Sequence, residues 1–259
     1  MRIPIRMISI ATTFFWIFLI AFFITVVYSI KDVHFNIGKT QMSTTSDNKI
    51  VFSLPISIEN RGFYNIEYFS IKTTISDKNG SIITSGSTLM PVIRKNDEIV
   101  INHNMTMNAT DLLHKNESYL FNDSELIIYE VLDLRIAEMI PIQASTNFSS
   151  PWGAPFYNFT LGQTRSNAYN DTHLRVTIPI SFENHAFFDF NGTIQIRMYN
   201  STDRLAGEGQ TNIVAWQNSP YNGSIEFLAK MTDFTDSGCF EVNLQTSLFE
   251  YEGMMIPYG

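Results

Sequence analysis

Eleven Asn-x-Ser/Thr triplets are the most frequent chemical motif of this sequence, and this is the triplet at which oligosaccharides are attached to asparagine. Asn104 and Asn108 occur in the alternating segment IVINHNMTM, whose apolar residues point to the opposite face, so we expect both to face solvent. We predict a glycosylated surface; the alternative is an Asn-rich turn composition that produces such triplets by accident. The candidate acceptors are Asn79, Asn104, Asn108, Asn116, Asn122, Asn147, Asn158, Asn170, Asn191, Asn200 and Asn222.

Two acidic dipeptides, Glu59-Asn60 and Glu183-Asn184, offer the chemistry of a hydrolase, since a pair of carboxylates about 5–10 Å apart can serve as acid and base. Each dipeptide follows the same kind of apolar segment, PISI or PISF. A surface hydrolase would require Glu59 and Glu183 to converge in a cleft. We favour a structural role in which each asparagine caps the turn after a strand.

Calcium binding is suggested by Asp77-x-Asn79-x-Ser81, which resembles the start of a calcium loop. Ile82 stands where that loop needs glycine, and Thr88 stands where it needs a bidentate glutamate. Asn79-Gly80 is instead typical of a hairpin turn, which we predict here.

The remaining metal-ligating or nucleophilic residues are isolated in the sequence. Cys239 follows Gly238 in a strand-like segment, and we interpret it as a small core residue. We predict no enzyme activity, no metal site and no cofactor. The histidines show no paired ligand spacing and are His34, His103, His114, His173 and His185.

Composition narrows the class of protein. The 259 residues include 17 Lys+Arg and 25 Asp+Glu, and the resulting net charge of −8 argues against nucleic-acid binding. The 44% hydrophobic and 14% aromatic content argues against disorder. A single cysteine excludes an intrachain disulfide, and this absence together with many glycosylation triplets suggests an archaeal cell surface.

Residues 7–30 contain no charged side chain and would extend about 36 Å as a helix, which is enough to cross a lipid bilayer. Arg2 and Arg6 precede this segment, whereas Lys31 and Asp32 cancel after it. The positive-inside rule therefore predicts a cytoplasmic N-terminus and export of everything after residue 30.

Two alternatives to a permanent anchor remain for this segment. A signal peptide cleaved after Ser29 would use Val27 and Ser29 as the small residues before the cut, but secretory apolar regions are usually about 7–15 residues long. A core helix of a soluble protein would have a polar face, which this segment lacks.

The exported part contains an internal repeat with a spacing of 124 residues. Residues 35–66 align without a gap onto residues 159–190, and ten of the 32 positions are identical. We predict a membrane segment in residues 1–30 and two homologous domains in residues 31–150 and 151–259. The Pro- and Trp-containing connection at residues 149–158 favours a fixed angle between them.

Both repeats show the two-residue alternation of β-strands, as in IVFSLPISI and LRVTIPISF. Pro55 and Pro179 cannot donate to a strand ladder, so we expect their strands at a sheet edge or at a bulge. The first repeat carries additional sequence near residues 111–129, where Asn122 or Asp123 would cap a short helix. The predicted fold is all-β: two tandem immunoglobulin-like or fibronectin-like β-sandwiches preceded by one transmembrane helix.

The segments LPISIENRGFYNIEYFSIKTTISDKNGSIITSGST and IPISFENHAFFDFNGTIQIRMYNSTDRLAGEGQT resemble the late-embryogenesis-abundant type 2 family, also called the water-stress and hypersensitive-response domain. The shared pattern is an apolar strand, a polar-Asn turn, an alternating strand, and then a turn and a glycine. The resemblance implies a β-sandwich with a role in binding or stress protection and without catalytic residues. The anchor, the tandem copy and the glycosylation triplets depart from the family.

We therefore expect a single-pass cell-membrane protein that contacts the bilayer through residues 7–30. Two glycosylated extracellular sandwiches would serve protein interaction or envelope structure. A protein partner at the cell surface would bind at a sheet edge near Pro55 or Pro179. The alternatives are an accessory subunit of a membrane enzyme or secretion complex held by its transmembrane helix, and a stress-protection protein of the late-embryogenesis-abundant type.

Overall fold

The computed structural model describes residues 5–45, 47 and 49–259, without the side chains of residues 5, 6 and 113–115. It begins with an exposed apolar helix, α1 (Ile5–Lys31), and continues into antiparallel β-structure. Arg2, on which the predicted orientation partly depends, lies outside the described residues, as do the side chains of Arg6 and His114. The predicted all-β fold class, with sandwiches after an N-terminal apolar helix, is confirmed.

The first sandwich consists of two facing sheets in which all pairs are antiparallel. One sheet has the order β6–β3 with β1 and β2 end to end along the other edge of β3, and the other has the order β5–β4–β7–β8. The strands are β1 (Val33–Ile37), β2 (Gln41–Thr44), β3 (Lys49–Asn60), β4 (Ile66–Ser76), β5 (Ile82–Ile93), β6 (Glu98–Asn108), β7 (Ser124–Ile136) and β8 (Ile140–Trp152).

The second sandwich repeats this arrangement. Its sheets have the orders β14–β11 with β9 and β10 on the edge of β11, and β13–β12–β15–β16, and a single bridge between Gly207 and Ala229 joins them. The strands are β9 (Tyr157–Leu161), β10 (Arg165–Ala168), β11 (His173–Asn184), β12 (Phe190–Asn200), β13 (Leu205–Ala215), β14 (Ser219–Lys230), β15 (Gly238–Thr246) and β16 (Glu250–Tyr258). The first four strands of the two units begin 124 residues apart, which is the spacing of the sequence repeat.

The proline-containing strands lie inside their sheets, so the expected edge position is wrong. Pro55 pairs with Asn102 of β6 on one side, and on the other side the edge is interrupted between β1 and β2. The backbone amide of Gly38, in that gap, donates to the Pro55 carbonyl at 2.8 Å, and Gly162 donates to Pro179 in the same way. Proline has no N–H to donate to the neighbouring edge strand. Because that edge strand is interrupted opposite the proline, none of its carbonyls is left without a donor.

The glycine in this gap is required by close approach. A Cβ on Gly38 would lie 2.8 Å from Cγ of Pro55, and a Cβ on Gly162 would lie 2.9 Å from Cβ of Pro179. Both repeats therefore keep glycine opposite proline.

The additional sequence of the first repeat forms two short helices, α2 (Ala109–Lys115) and α3 (Ser118–Phe121). Asn108 caps α2 through a hydrogen bond from the Thr110 amide. The expected cap at Asn122 or Asp123 is wrong because β7 begins at Ser124. Strand alternation in LIIYEVL prevailed over the helical spacing.

Each sandwich has two ends, which we call near (toward α1) and far. At the near end of the first sandwich β3 and β5 end and β4 begins; its far end carries α2 and α3. The near end of the second sandwich packs on this far end, so the two units are stacked head to tail. The longest strands have 13 residues in the first sandwich and 12 in the second, which makes each sandwich about 40 Å long.

Candidate functional site in the cleft between the two sandwiches

A cleft of about 690 Å³ lies where the two sandwiches meet. Its walls come from both units, with Trp152 and Asp123 from the first and His185 and Phe187 from the second. Its lining is mostly apolar, with polar groups clustered on one side. An imidazole and two carboxylates from the two structural units meet in this cleft, which makes it a candidate functional site.

The polar side is a clamp in which one imidazole is held between two carboxylates. His185 Nδ1 lies 2.8 Å from Oδ2 of Asp123, and His185 Nε2 lies 3.1 Å from Oε2 of Glu183. The ring also stacks on Tyr157, with 4.2 Å between ring centroids. The clamp connects the segment after α3 to the loop after β11, which is a contact between the two sandwiches.

The clamp favours the protonated imidazole. Partial burial opposes the charge and is the largest single influence on His185, but hydrogen bonds to Asp123 and Glu183 together outweigh it, so the pKa is raised. Below that pKa both ring nitrogens donate, and the contact becomes an ion triplet.

Asp123 is held in place by the chain that connects the sandwiches. Its Oδ1 accepts the backbone amide of Ala154 at 2.9 Å, and Ala154 in turn accepts the backbone amide of His185 at 3.0 Å. Trp152 donates its indole N–H to the Tyr119 carbonyl at 2.9 Å. The joint is therefore fixed by hydrogen bonds that involve α3, the connection and the β11–β12 loop.

An aromatic cluster extends this joint into both cores. Phe156 is fully buried, and its ring centroid lies 4.7 Å from that of Phe182 and 5.1 Å from that of Phe190. Phe187 contacts Phe52 and Trp152 of the first sandwich, with centroids 6.3 and 6.1 Å apart. One hydrophobic core therefore continues from the far half of the first sandwich into the second.

The arrangement holds the two sandwiches together. Both ring nitrogens of His185 are already occupied by carboxylates of the protein itself. The two carboxylates bind opposite edges of the ring and do not converge on a point where a cation would sit. Within the described part of the chain, no group of three or more His, Cys, Asp or Glu residues is placed to hold a metal ion.

The predicted pair Glu59 and Glu183 does not converge. Phe52 of β3 contacts Phe187, but Glu59 is seven residues farther along β3, which corresponds to about 23 Å. Glu59 instead pairs with Arg61, whereas Glu183 pairs with His185. Glu59 is therefore at the opposite end of the first sandwich from the joint that holds Glu183, and the two carboxylates are not placed about 5–10 Å apart as an acid and base pair requires.

The predicted role of the asparagines is confirmed. Nδ2 of Asn60 donates to the carbonyls of Tyr64 and Ile93, and its Oδ1 accepts the amide of Gly62. Asn184 forms the equivalent bonds in the second repeat, to Phe188, Ala215 and Ala186. Both are fully buried and tie the turn after the strand to the neighbouring strand.

Ten of the eleven candidate glycosylation sites are exposed, and one is not. Asn200 is 6% exposed, and its Oδ1 accepts three hydrogen bonds that shape the β12–β13 turn, from the amides of Thr202 and Arg204 and the Thr202 hydroxyl. Asn200 is thus a turn-forming residue, and we withdraw it as an acceptor. Sequence alone did not distinguish it because its triplet is the same as the others.

Two other predicted features have clear positions. Asp77 accepts the amides of Asn79 and Ser81 within a hairpin turn in which Gly80 has a φ of +82°, as expected for a turn rather than a calcium loop. Cys239 lies on β15 and is half-buried, which makes it less enclosed than the core position that we expected.

A second joint connects α1 to the near end of the first sandwich. Val26 and Ser29 are buried against the β3–β4 loop, and Ser29 Oγ accepts the backbone amide of Tyr64 at 3.3 Å. The Thr25 hydroxyl lies 2.8 Å from the Tyr64 hydroxyl. The ring of Phe22 packs on Tyr64 with 6.0 Å between centroids. The sequence predicted a fixed connection at residues 149–158, but it did not indicate which side chains meet at either joint, because the partners lie 31 or more residues apart.

No family model and no curated protein matches this chain. Among solved structures it is similar to a transglutaminase of red sea bream, with 11% identity over 88% of this chain and 31% of that one and a TM-score of 0.30. It is also similar to a glycosyl hydrolase family 2 member of Bacteroides cellulosilyticus, with 8% identity over 81% and 28% of the chains and a TM-score of 0.33. A third is the exo-chitosanase CsxA of Amycolatopsis orientalis, with 9% identity over 84% and 26% and a TM-score of 0.25. The chain spans less than a third of the length of each of these enzymes, whose activities belong to much longer proteins.

Proposed function

We propose that this chain is a single-pass membrane protein whose two exported, glycosylated sandwiches form a stiff, non-catalytic spacer on the cell surface. The observation that carries the proposal is the pair of packed joints, one between α1 and the first sandwich and one between the sandwiches. A helix followed by two units of about 40 Å would present the far end of the second sandwich about 80 Å from the membrane.

The surface of α1 supports a membrane anchor. The helix meets the length and composition required to cross a bilayer over Met7–Lys31, and most of it is not covered by protein. Phe14, Phe18 and Val27 are each more than 60% exposed, which water would disfavour strongly. The burial of Ser29 supports retention over cleavage, because cleavage after Ser29 would separate α1 from the sandwich on which it packs.

The exposure of ten acceptor asparagines supports glycosylation and therefore export. With the positive-inside pattern of the sequence, this gives an N-terminus in the cytoplasm and both sandwiches outside. We also propose kinship with the late-embryogenesis-abundant type 2 domain. The support is its polar-Asn turn, which appears here twice as a buried hydrogen-bonded asparagine.

The test is the intact mass of the protein purified from its own membrane, before and after chemical deglycosylation. We expect residues 1–30 to be retained and the excess mass over 29.6 kDa to disappear on deglycosylation. Asn104→Gln should remove one glycan, whereas Asn102→Gln, on the same exposed face of β6, should remove none. An unmodified mass would contradict export through a glycosylating pathway, and loss of residues 1–29 would contradict the anchor.

An accessory-subunit role is the second candidate, and the bulky apolar surface of α1 favours it. Replacing residues 7–21 with a generic apolar sequence of equal length, while keeping the part that packs on Tyr64, separates the two functions. Loss of co-purifying membrane partners would favour the subunit role. Retention of partners would place recognition in the sandwiches.

A further inference from the structure

The near end of the first sandwich lies beside the last part of α1 that the membrane must hold. A hydrocarbon core about 30 Å thick takes about 20 helical residues, so a span that begins at Met7 reaches about residue 26. The sandwich contacts α1 from Phe22 onward, where Tyr64 packs on it, yet Phe23, Ile24 and Val27 remain more than half exposed. The end of the sandwich is therefore at the level of the membrane interface.

The loops at this near end carry large apolar side chains that no protein group covers. Phe63, in the β3–β4 loop, is 62% exposed, and Met139, in the β7–β8 turn, is 69% exposed. Both loops lie at the same end because β4 begins directly after the β3–β4 loop, and its first residue, Ile66, pairs with Ile136, the last residue of β7. Aromatic and apolar side chains of this kind are favoured at the level of lipid headgroups.

The second repeat provides an internal control for Phe63. Phe187 stands 124 residues later in the equivalent loop, and it is covered by Phe52 and Trp152 of the first sandwich. The same loop position therefore serves as a docking residue in one joint and is exposed in the other. A membrane surface at the level of Phe22 is the neighbour available to cover Phe63.

Basic side chains of the near-end loops also fit a lipid surface. Arg94 and Lys95, in the β5–β6 loop, are exposed there, as is Lys31 at the end of α1. Arg61 instead pairs with Glu59. Basic side chains at the membrane surface pair with lipid phosphates.

We infer that the near end of the first sandwich is seated in the membrane interface, with Phe63 and Met139 among the headgroups and Arg94 and Lys95 on phospholipid phosphates. This rests on the proposed function, because it requires α1 to be inserted in a bilayer. The sandwich is then held upright by lipid as well as by the joint with α1.

The experiment uses the full-length chain with Cys239→Ser, reconstituted into phosphatidylcholine and phosphatidylglycerol vesicles. Single cysteines at Phe63→Cys, Met139→Cys, Val27→Cys and Leu205→Cys carry a polarity-sensitive dye. Lipids with a nitroxide near the headgroup quench dyes at that depth. Val27 reports insertion of α1, and Leu205 lies at the far end of the second sandwich.

We expect about twofold or greater quenching at positions 63, 139 and 27 and none at position 205. Quenching at 27 without quenching at 63 and 139 would overturn the seating while leaving the anchor intact. No quenching at 27 would instead overturn the anchor. Quenching of the dye at 205 as strongly as at 63 would mean that the chain lies flat on the membrane, which would also overturn the inference.

Discussion

The joint at α1 and the joint between the sandwiches use the same loop of the repeat in two different ways. In both, a buried asparagine, Asn60 or Asn184, shapes the loop that receives the preceding element. The loop that contains Asn60 contacts the apolar helix α1, and the loop that contains Asn184 contacts the far end of the first sandwich. One loop architecture can therefore accept unlike partners, provided that the contacting side chains change.

Steric fit at the two joints shows this change most directly. In the first joint the glycine is on the loop: a Cβ on Gly62 would lie 2.3 Å from Oγ of Ser29. In the second joint the glycine is on the incoming chain: a Cβ on Gly153 would lie 1.9 Å from the His185 carbonyl oxygen. Gly153 stands 124 residues after Ser29, so the small residue that allows close approach has moved to the opposite side of the contact.

Apolar content differs as well. Phe156 is fully buried in the second joint, whereas the position 124 residues earlier is Asp32, whose carbonyl accepts the Arg61 amide. The joint between sandwiches is stabilised mainly by aromatic burial. The joint at α1 is smaller, which is consistent with a lipid surface completing it.

The largest expected effect is therefore at Phe156. Phe156→Ala should lower the free energy of unfolding by about 3–5 kcal/mol, because it leaves a cavity among five aromatic rings. Asp32→Ala, at the equivalent position, should change it by about 0.5 kcal/mol or less. Urea unfolding of the full chain in micelles measures both, with Phe148→Ala on exposed β8 as the matched control. Equal effects at 156 and 32 would contradict the difference between the joints.

The loop asparagines should come next. Asn184→Ala and Asn60→Ala each leave two carbonyls and one amide without a partner inside the protein, which should cost about 2–3 kcal/mol. The two effects should be similar because the hydrogen bonds are the same. Asn102→Ala, which is exposed, is the control in the same unfolding measurement. A neutral result at either position would show that the loop does not depend on its asparagine.

Exchanging glycine for alanine should separate the joints. Gly153→Ala should loosen the contact between sandwiches, and Gly62→Ala should loosen the contact with α1, each by about 1–3 kcal/mol because the backbone must shift. Limited proteolysis in the connection at residues 153–157 should accelerate only for Gly153→Ala. Gly80→Ala, which meets no atom within 4 Å but has a positive φ, controls for backbone strain alone. Faster cleavage in all three variants would contradict site-specific loosening.

Two histidines should give opposite pH dependence. His103 is buried between the hydroxyls of Thr73 and Thr88, and burial lowers its pKa below 6.5. Its folded form binds the proton less readily than the unfolded chain does, so the first sandwich should lose stability as pH falls below about 6.5.

His185 should act in the other direction, because its raised pKa means that folding favours the proton. Its contribution should be fully present below the ordinary value of 6.5 and should be lost as pH rises through the raised pKa. Thermal unfolding at a series of pH values measures the two dependences. His103→Gln should remove the loss of stability at low pH, and His185→Gln should remove the loss of stability at high pH. If both variants removed the same pH dependence, the assignment to two separate sites would be contradicted.

Much of the fold follows from local sequence patterns. Alternation in IVFSLPISI and LRVTIPISF places every second residue on one face because successive strand side chains point to opposite sides, and the structure has these faces buried. The apolar helix and the turns after the PISI and PISF segments are likewise visible in short stretches of the sequence, and the comparison of two such stretches reveals the repeat. In these cases the role of a residue depends on neighbours within a few positions.

The joints, by contrast, were decided only by tertiary structure. Asp123 and His185 are 62 residues apart, and nothing near either one indicates that docking brings them within 2.8 Å. Asn200 carries the same triplet as ten exposed asparagines, yet its place at the β12–β13 turn buries it. Pro55 can lie inside a sheet because the neighbouring edge strand is interrupted at the point where a proline N–H would have been needed. Local stereochemistry determined the strands and turns of this protein, whereas the packing of distant surfaces decided which residues meet, because that packing depends on the shape of both partners at once.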